Sequence, residues 1–393
     1  MITTGGGGDL LVRNIGRLTT WDRPVLSNAA LLIRAGKVAW YGADKAVPRE
    51  THHVPDLDAG GAAVLPGFVD CHTHLVWAGS RRADFVGRVA GGSYTPQGIN
   101  STVAATRVAP YDELLALAQA RADRARSTGT TTIEVKSGYG LTPDHEMRLL
   151  DVANQIGGID ITATYLGAHV VPGGRDRDDY VDEVIASLPE AKRHGATWCD
   201  VFCDEEAFSI EEARRILNAA EHHGFGLRIH AEQLSHTGAA LLAAELGCAS
   251  ADHLDFITER SAAALAHAGV IGVLVPVCSL YTRSQRWDHA RVLKDAGVTL
   301  AIATDCNPGT AWCESMPYAM QLACLAMGLP VDDVLRAATI GGAMALQRAD
   351  VGHLAVGAQG NLVVLDSDHE ADLVAHLGSR GIIRTVVQGS PVG

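Results

Sequence analysis

Short, nearly continuous apolar runs alternate with amphipathic helical stretches along the middle of the chain. The first run, 64–70 (VLPGFVD), carries a Pro-Gly turn and is apolar up to its last residue. Further strands are expected over 130–136, 161–169, 197–204, 226–232, 248–253, 270–277 and 299–305. Apolar positions three and four apart predict helices over 111–127, 143–156, 177–194, 210–223, 236–247, 261–268 and 289–296, and then over 315–327 and 331–346. Apolar strands separated by helices make a parallel sheet covered on both faces. Eight such units predict closure into a (β/α)8 TIM-like barrel. An open doubly wound sheet is the alternative, but no GxGxxG follows any strand.

The two ends have a different period. ALLIRAGKVAWYG alternates around an Ala-Gly-Lys turn and reads as a hairpin, and GAQGNLVVLD and IIRTVVQG near the far end have the same character. Together they predict a small β-sandwich domain formed from both termini, residues 1–64 plus 350–393, beside a barrel at 65–349. Gly5 to Gly8 read as a flexible leader.

Composition narrows the class. With 47% hydrophobic and 20% charged residues in 393, the chain can bury a large core and is not disordered. A formal charge of −13 argues against nucleic acid or an anionic membrane as partner, and an anionic substrate would need its own local cation. The longest uncharged apolar stretch, 270–282, is too short to span a bilayer and contains a proline, and no secretory signal opens the chain. Eight cysteines without a CxxC pair read as free thiols of a cytoplasmic enzyme.

In such a barrel the chemistry collects where strands finish. Strand one leads into His72 and His74, which lie two apart and therefore share a side. Strand three ends in His169, strand five in His230, strand six in His253 and strand eight in Asp305. One HxH among 17 histidines is weak; five histidines and an aspartate at one end of a barrel are not. His72, His74, His230 and Asp305 form a three-nitrogen, one-oxygen set suited to Zn²⁺ or Fe²⁺, with water completing the shell. Strand four, WCDVFCDEE, has no lysine to bridge a second ion, and Lys136 ends strand two, the wrong place for that role. One divalent metal ion is expected, zinc or iron.

GFVDCHTHLVWAGSR, KSGYGL, YLGAHVVP, DVFCD, IHAEQLS, SADHL and ATDCNPGT follow one another across 66–341. In this order they resemble the amidohydrolase superfamily and, within it, the imidazolonepropionase family. The resemblance implies hydrolysis of the ring amide of 4-imidazolone-5-propionate to N-formimino-L-glutamate in histidine degradation, with a metal-activated water as nucleophile. The alternative is another mononuclear amidohydrolase, such as a nucleobase-type deaminase or a different cyclic amidase. The same four residues are then the metal ligands, and the substrate contacts fall on Arg81, Tyr139, His169, Gln233, Asn307, Gly309 and Thr310. A homodimer is implied as well. VPVCSLYT departs from the family pattern at strand seven.

Roles follow from chemistry and position. Arg81 can pair bidentately with a propionate. Tyr139, in SGYG, sits where glycines allow close approach, and Tyr94, in GGSY, is a further candidate. His169 is placed to hydrogen-bond the ring carbonyl, and His253 to orient the water or polarise the scissile carbonyl. Asp305 can accept the proton of the attacking water and pass it to the departing nitrogen. Gln233 can hold the ring, while Glu232 points away by strand alternation. The NPGT loop would offer backbone amides and Thr310. Asp176 to Asp179 start a helix, and His52, His53, His222 and His223 are surface residues.

Overall fold

A computed structural model describes residues 7–51, 53–92 and 98–392. Its barrel sheet has eight parallel strands, numbered here one to eight: Phe68–Asp70, Thr130–Lys136, Asp160–Ala168, Trp198–Cys203, Gly226–Ala231, Ser250–His253, Ile271–Leu274 and Leu300–Ile302. Strands two and four are buried at every position, as a sheet covered by helices and filled inside requires. The first and last strands meet through their extensions. Asp305 N–H donates to the His72 carbonyl (3.0 Å) and His74 N–H to the Cys306 carbonyl (3.0 Å). Just below, the Thr304 amide and hydroxyl both donate to the Asp70 carboxylate, at 3.0 and 2.6 Å. This seam closes the sheet as a barrel.

Helices return the chain between strands. Tyr111–Ser127 and Arg177–Arg193 are long and carry acidic first turns and basic last turns, which suits the helix dipole. Asp176 caps the second by accepting from the amides of Asp178 and Asp179, and Ser209 with Glu212 forms a capping box on Ile210–His222.

The terminal sheet, that of the smaller domain, is mixed and draws on both ends of the chain, in the order Ser390–Val392, Ile382–Val387, Leu362–Leu365, Ala63–Pro66, Leu10–Leu18, Leu26–Arg34, Lys37–Ala43, with Asp56–Asp58 against Leu10–Leu18. Its hairpin turns at Ala35 and Gly36, both with positive φ (46° and 75°), the pattern that suits a tight two-residue connection. Leu31, Ile33, Val64, Leu362 and Val386 are among its core residues.

Several expected boundaries move. The run 64–70 is two strands: Ala63–Pro66 pairs in the terminal sheet and Phe68–Asp70 in the barrel. The break is at Gly67, where a Cβ would lie 2.3 Å from the Thr131 side chain. Strand seven stops at Leu274, because Pro276 opens a short helix, Pro276–Tyr281. The helix expected from 236 begins at Ala239, after Gly238 at φ 88°. The helix expected over 331–346 widens into a π turn at Ala337–Gly341. There a Cβ on Gly341 would meet the Leu300 carbonyl at 2.1 Å, so helix and strand eight touch backbone to backbone. Arg82–Val89 and Ile99–Val108 are helices with no counterpart among the expected elements. Among the described residues, no helix is long and apolar enough to cross a membrane.

Candidate active site

The seam sets the geometry of the site. Registering His72 against Asp305, and His74 against Cys306, brings Nε2 of His72 and Nε2 of His74 each to 3.5 Å from Asp305 Oδ1. His230, at the end of strand five, lies across the barrel with its ring 4.5 Å from that of His72. One donor atom each from His72, His74 and His230 lie within 4.8 Å of one another, as do those of His72, His253 and Asp305. All five side chains are buried.

These residues fit a divalent cation. His72 Nε2 is a buried nitrogen with no hydrogen-bond partner among the described residues, facing a carboxylate. Burial, reinforced by neighbouring positive charge, holds His72, His74 and His253 well below the ordinary histidine value, so their imidazoles are neutral and can donate lone pairs. Burial also pushes Asp305 up to about 7, with His230 pulling the other way. The imidazoles of His72, His74 and His230 and one carboxylate converging in a buried site are a donor set for zinc or iron. Asp305 (φ 51°), His253 (φ 77°) and Glu232 (φ 53°) are held in the left-handed region at the ends of strands eight, six and five, so backbone strain gathers here.

Beneath these candidate ligands lies a layer of ions outside the candidates read from the sequence. Asp252 accepts from His72 Nδ1 at 2.6 Å, and Asp200 from His230 Nδ1 at 3.1 Å. Lys136 Nζ stands 2.7 Å from both Glu134 and Asp200. Arg228 donates to the carbonyls of Cys71 and Ala345, at 2.8 Å each. The signal was present: Glu134, Asp200, Arg228 and Asp252 interrupt otherwise apolar strands, and Arg228 shares the interior face with His230 two residues on.

Above the ligands is one pocket, and Arg81, Tyr139, His169, Gln233, Asn307, Gly309 and Thr310 all line it, with Ile99 and Phe202 as apolar walls. Arg81 is buried at the start of Arg82–Val89, with Nε bonded to Asp84. A Cβ would lie 2.0 Å from its guanidinium at Gly98 and 3.1 Å at Gly309, so glycines leave the space this group fills. Tyr139 packs 5.4 Å from His169 and 5.9 Å from His74, ring to ring. Its loop is clasped by the buried carboxylate of Glu146, which accepts from the amides of Gly138, Gly140 and Leu141 at 2.7 Å each. Glu146, too, was missed from sequence.

Three expected roles change in detail. His169 Nδ1 lies 2.9 Å from the Gly138 carbonyl, and burial lowers its pKa to about 4. The neutral ring therefore donates from Nδ1 and offers Nε2 as an acceptor, not as a donor to a carbonyl. Asn307 turns its amide onto its own loop: Oδ1 accepts from the amides of Gly309 and Thr310 (2.8 Å each), so those amides are already engaged. Gln233 Nε2 donates to Cys278 Sγ at 3.3 Å, so the divergent strand-seven segment forms part of the wall. Glu232 is turned toward Gly238 and His236. His53, His222 and His223 are exposed, while Tyr94, His52, Gly5 and Gly6 lie outside the described residues.

Comparison with known proteins agrees with this geometry. The sequence model of the amidohydrolase family matches residues 63–392. An imidazolonepropionase of Salinispora arenicola is 44% identical, covering 97% of this chain and 98% of the relative. Those of Mycolicibacterium smegmatis (42%, covering 94% of each) and Anaeromyxobacter dehalogenans (43%, covering 94% and 92%) are similar. Among solved structures, a mutant of the atrazine chlorohydrolase of Arthrobacter aurescens TC1, complexed with zinc and atraton, superposes with a TM-score of 0.72 at 20% identity, covering 97% of this chain and 94% of that one. The ochratoxinase of A. niger gives 0.71 at 18%, covering 98% and 95%. At these identities the structural likeness is one of fold. The chain belongs to the amidohydrolase family and, within it, to the imidazolonepropionases.

Proposed function

We propose that the protein hydrolyses the ring amide of 4-imidazolone-5-propionate to N-formimino-L-glutamate, a step of histidine degradation. One observation carries this reading: a buried cation, Arg81, lines the same pocket as an imidazole and carboxylate ligand set. A ring bearing a carboxylate needs that cation, whereas an uncharged nucleobase does not. His72, His74, His230 and Asp305 would hold one divalent ion, zinc or iron. When bound, it supplies Lewis acidity that lets a water act as nucleophile near neutral pH.

The chain's own residues do the rest. Arg81 pairs with the propionate and fixes the ring between Tyr139 and Gln233. His169 Nε2 accepts a ring N–H, and Asn307 keeps Gly309 close enough for Arg81 to reach the substrate, with Thr310 beside it. His253 orients the water, whose oxygen adds to the ring carbonyl carbon while Asp305 takes its proton. As the carbon–nitrogen bond breaks, Asp305 returns that proton to the departing nitrogen, leaving a carboxylate and a formimino group. One water is consumed and no other reactant is needed. A cytoplasmic location belongs to this reading, since the eight cysteines are all free, as does the homodimer that the family resemblance implies.

The test is the loss of the imidazolone's ultraviolet absorbance with enzymatically generated substrate, before and after chelation and after reloading with zinc or iron. Metal-dependent turnover is expected. A metal-loaded protein that leaves this compound intact while hydrolysing another ring amide would remove the substrate assignment.

A further inference from the structure

Two of the ligand imidazoles have a carboxylate behind them, and one side chain joins the two carboxylates. Asp252 Oδ2 faces His72 Nδ1 at 2.6 Å, with its other oxygen fixed by the Ser250 hydroxyl at 2.6 Å. Asp200 Oδ1 faces His230 Nδ1 at 3.1 Å, with its other oxygen 2.7 Å from Lys136 Nζ. The same ammonium lies 2.7 Å from Glu134 and 3.7 Å from Asp252. None of these side chains reaches solvent. An ionised carboxylate can only accept, so each Nδ1 carries the hydrogen and each lone pair is on Nε2. For His72 that lone pair faces Asp305. The arrangement fixes both tautomers as long as both carboxylates stay in place.

Asp252 is anchored without Lys136, by Ser250 and by Arg228 at 3.5 Å. Among the described residues Asp200 has no such second anchor: besides His230, its carboxylate meets Lys136. Resting on the metal-site reading above, we infer that Lys136 is a positioning residue, which holds Asp200 so that His230 presents Nε2 to the metal together with His72. A plain neutralising charge would act in the opposite direction. Three buried carboxylates face two cations in this layer, and an ammonium near the ligands repels an incoming metal ion. Removing Lys136 would then tighten metal binding, whereas removing a positioning residue weakens it.

Direction therefore decides. Cobalt(II) and zinc(II) affinities are measured by competition with a chromophoric chelator on the full-length protein, together with the visible spectrum of the cobalt form. Lys136→Met is expected to bind both ions about 10- to 100-fold more weakly and to shift the cobalt absorption. Asp200→Asn, which keeps the size of the side chain, should weaken binding by about the same factor. The double variant should be little worse than either single one, because Lys136 acts through Asp200. Unchanged or tighter binding by Lys136→Met, or fully additive losses, would overturn the inference. Where Lys136→Met does not fold, Lys136→Arg, which keeps the charge and changes the shape, decides: weaker binding with an altered spectrum supports the inference and wild-type binding overturns it. A wild-type protein that binds no metal overturns both this inference and the ligand set. Tight metal binding without turnover overturns only the substrate.

Discussion

In the terminal sheet the ion pairs stand at the rim: Arg13 with Asp44 at 3.0 Å and Arg34 with Asp9 at 2.6 Å, all partly exposed around an apolar core. In the barrel the order is inverted. Glu134, Lys136, Asp200, Arg228 and Asp252 are at 0% exposure in the middle of the molecule. Taking such groups out of water costs several kcal/mol per ion, and a barrel built only for stability would be filled with branched apolar side chains. The five ions are placed where they tie strand one to the ligands and turn two imidazoles. The difference teaches that charge surrounds the core of the terminal sheet at these pairs, and fills the interior beneath the candidate metal site.

The strongest way to sharpen this contrast is to remove a ligand. His230→Ala or Asp305→Ala should cost about a thousandfold or more in kcat/KM, with substoichiometric metal in elemental analysis of the purified protein. A stability comparison comes next. Arg228→Met leaves buried carboxylates uncompensated and should cost about 3–5 kcal/mol in chemical denaturation. Arg13→Met at the rim of the sheet should cost less than about 1 kcal/mol. Equal losses would break the comparison. Arg81→Ala removes one charge-assisted pair and should raise KM for the imidazolone about 10- to 100-fold, with a smaller change in kcat. An unchanged KM would mean that the propionate is recognised elsewhere.

The smallest effect is a pH dependence outside the site. Hydrogen bonding from Arg348 lowers Asp350 from 3.8 to about 2. A depressed carboxyl contributes stability above its unfolded value and loses it as pH falls through the folded one. Asp350→Asn should therefore lower stability at pH 5 and at neutral pH, leave it nearly unchanged at about pH 2, and so narrow the gap between them. Thermal melts across that range measure it.

Where local pattern decides, the elements were legible in the sequence: strand two, Thr130–Lys136, and the helix Tyr111–Ser127 fall where their periodicity puts them. Periodicity failed where backbones touch or a turn is hidden in an apolar run. Gly67 splits one run between two sheets, and Gly341 forces a widened turn against strand eight; neither constraint is local. In the site, the strand-end histidines and Asp305 announce themselves by position and chemistry. Asp200 and Asp252 stand out only as charges within strands, and their partners do not show, because the layer a side chain joins depends on how neighbouring strands are staggered. In the folded register Asp200 lies opposite Arg228 and Asp252 opposite His230, and only from there do their carboxylates reach His230 and His72. The acceptor role of His169 was out of reach for the same reason, since it depends on the Gly138 carbonyl from another strand's loop.

The seam has a consequence for how this protein is made. Asp70 and Thr304, which zip it shut, are 234 residues apart in sequence. Closing a flexible loop of that length costs about 5 kcal/mol beyond a constant. His72 and His74 leave the ribosome early, but the centre they serve exists only after strand eight has docked. A nascent chain or truncated fragment therefore holds half a site. Metal capture becomes a late event that rewards the finished barrel alone, pulling the last strand home by mass action.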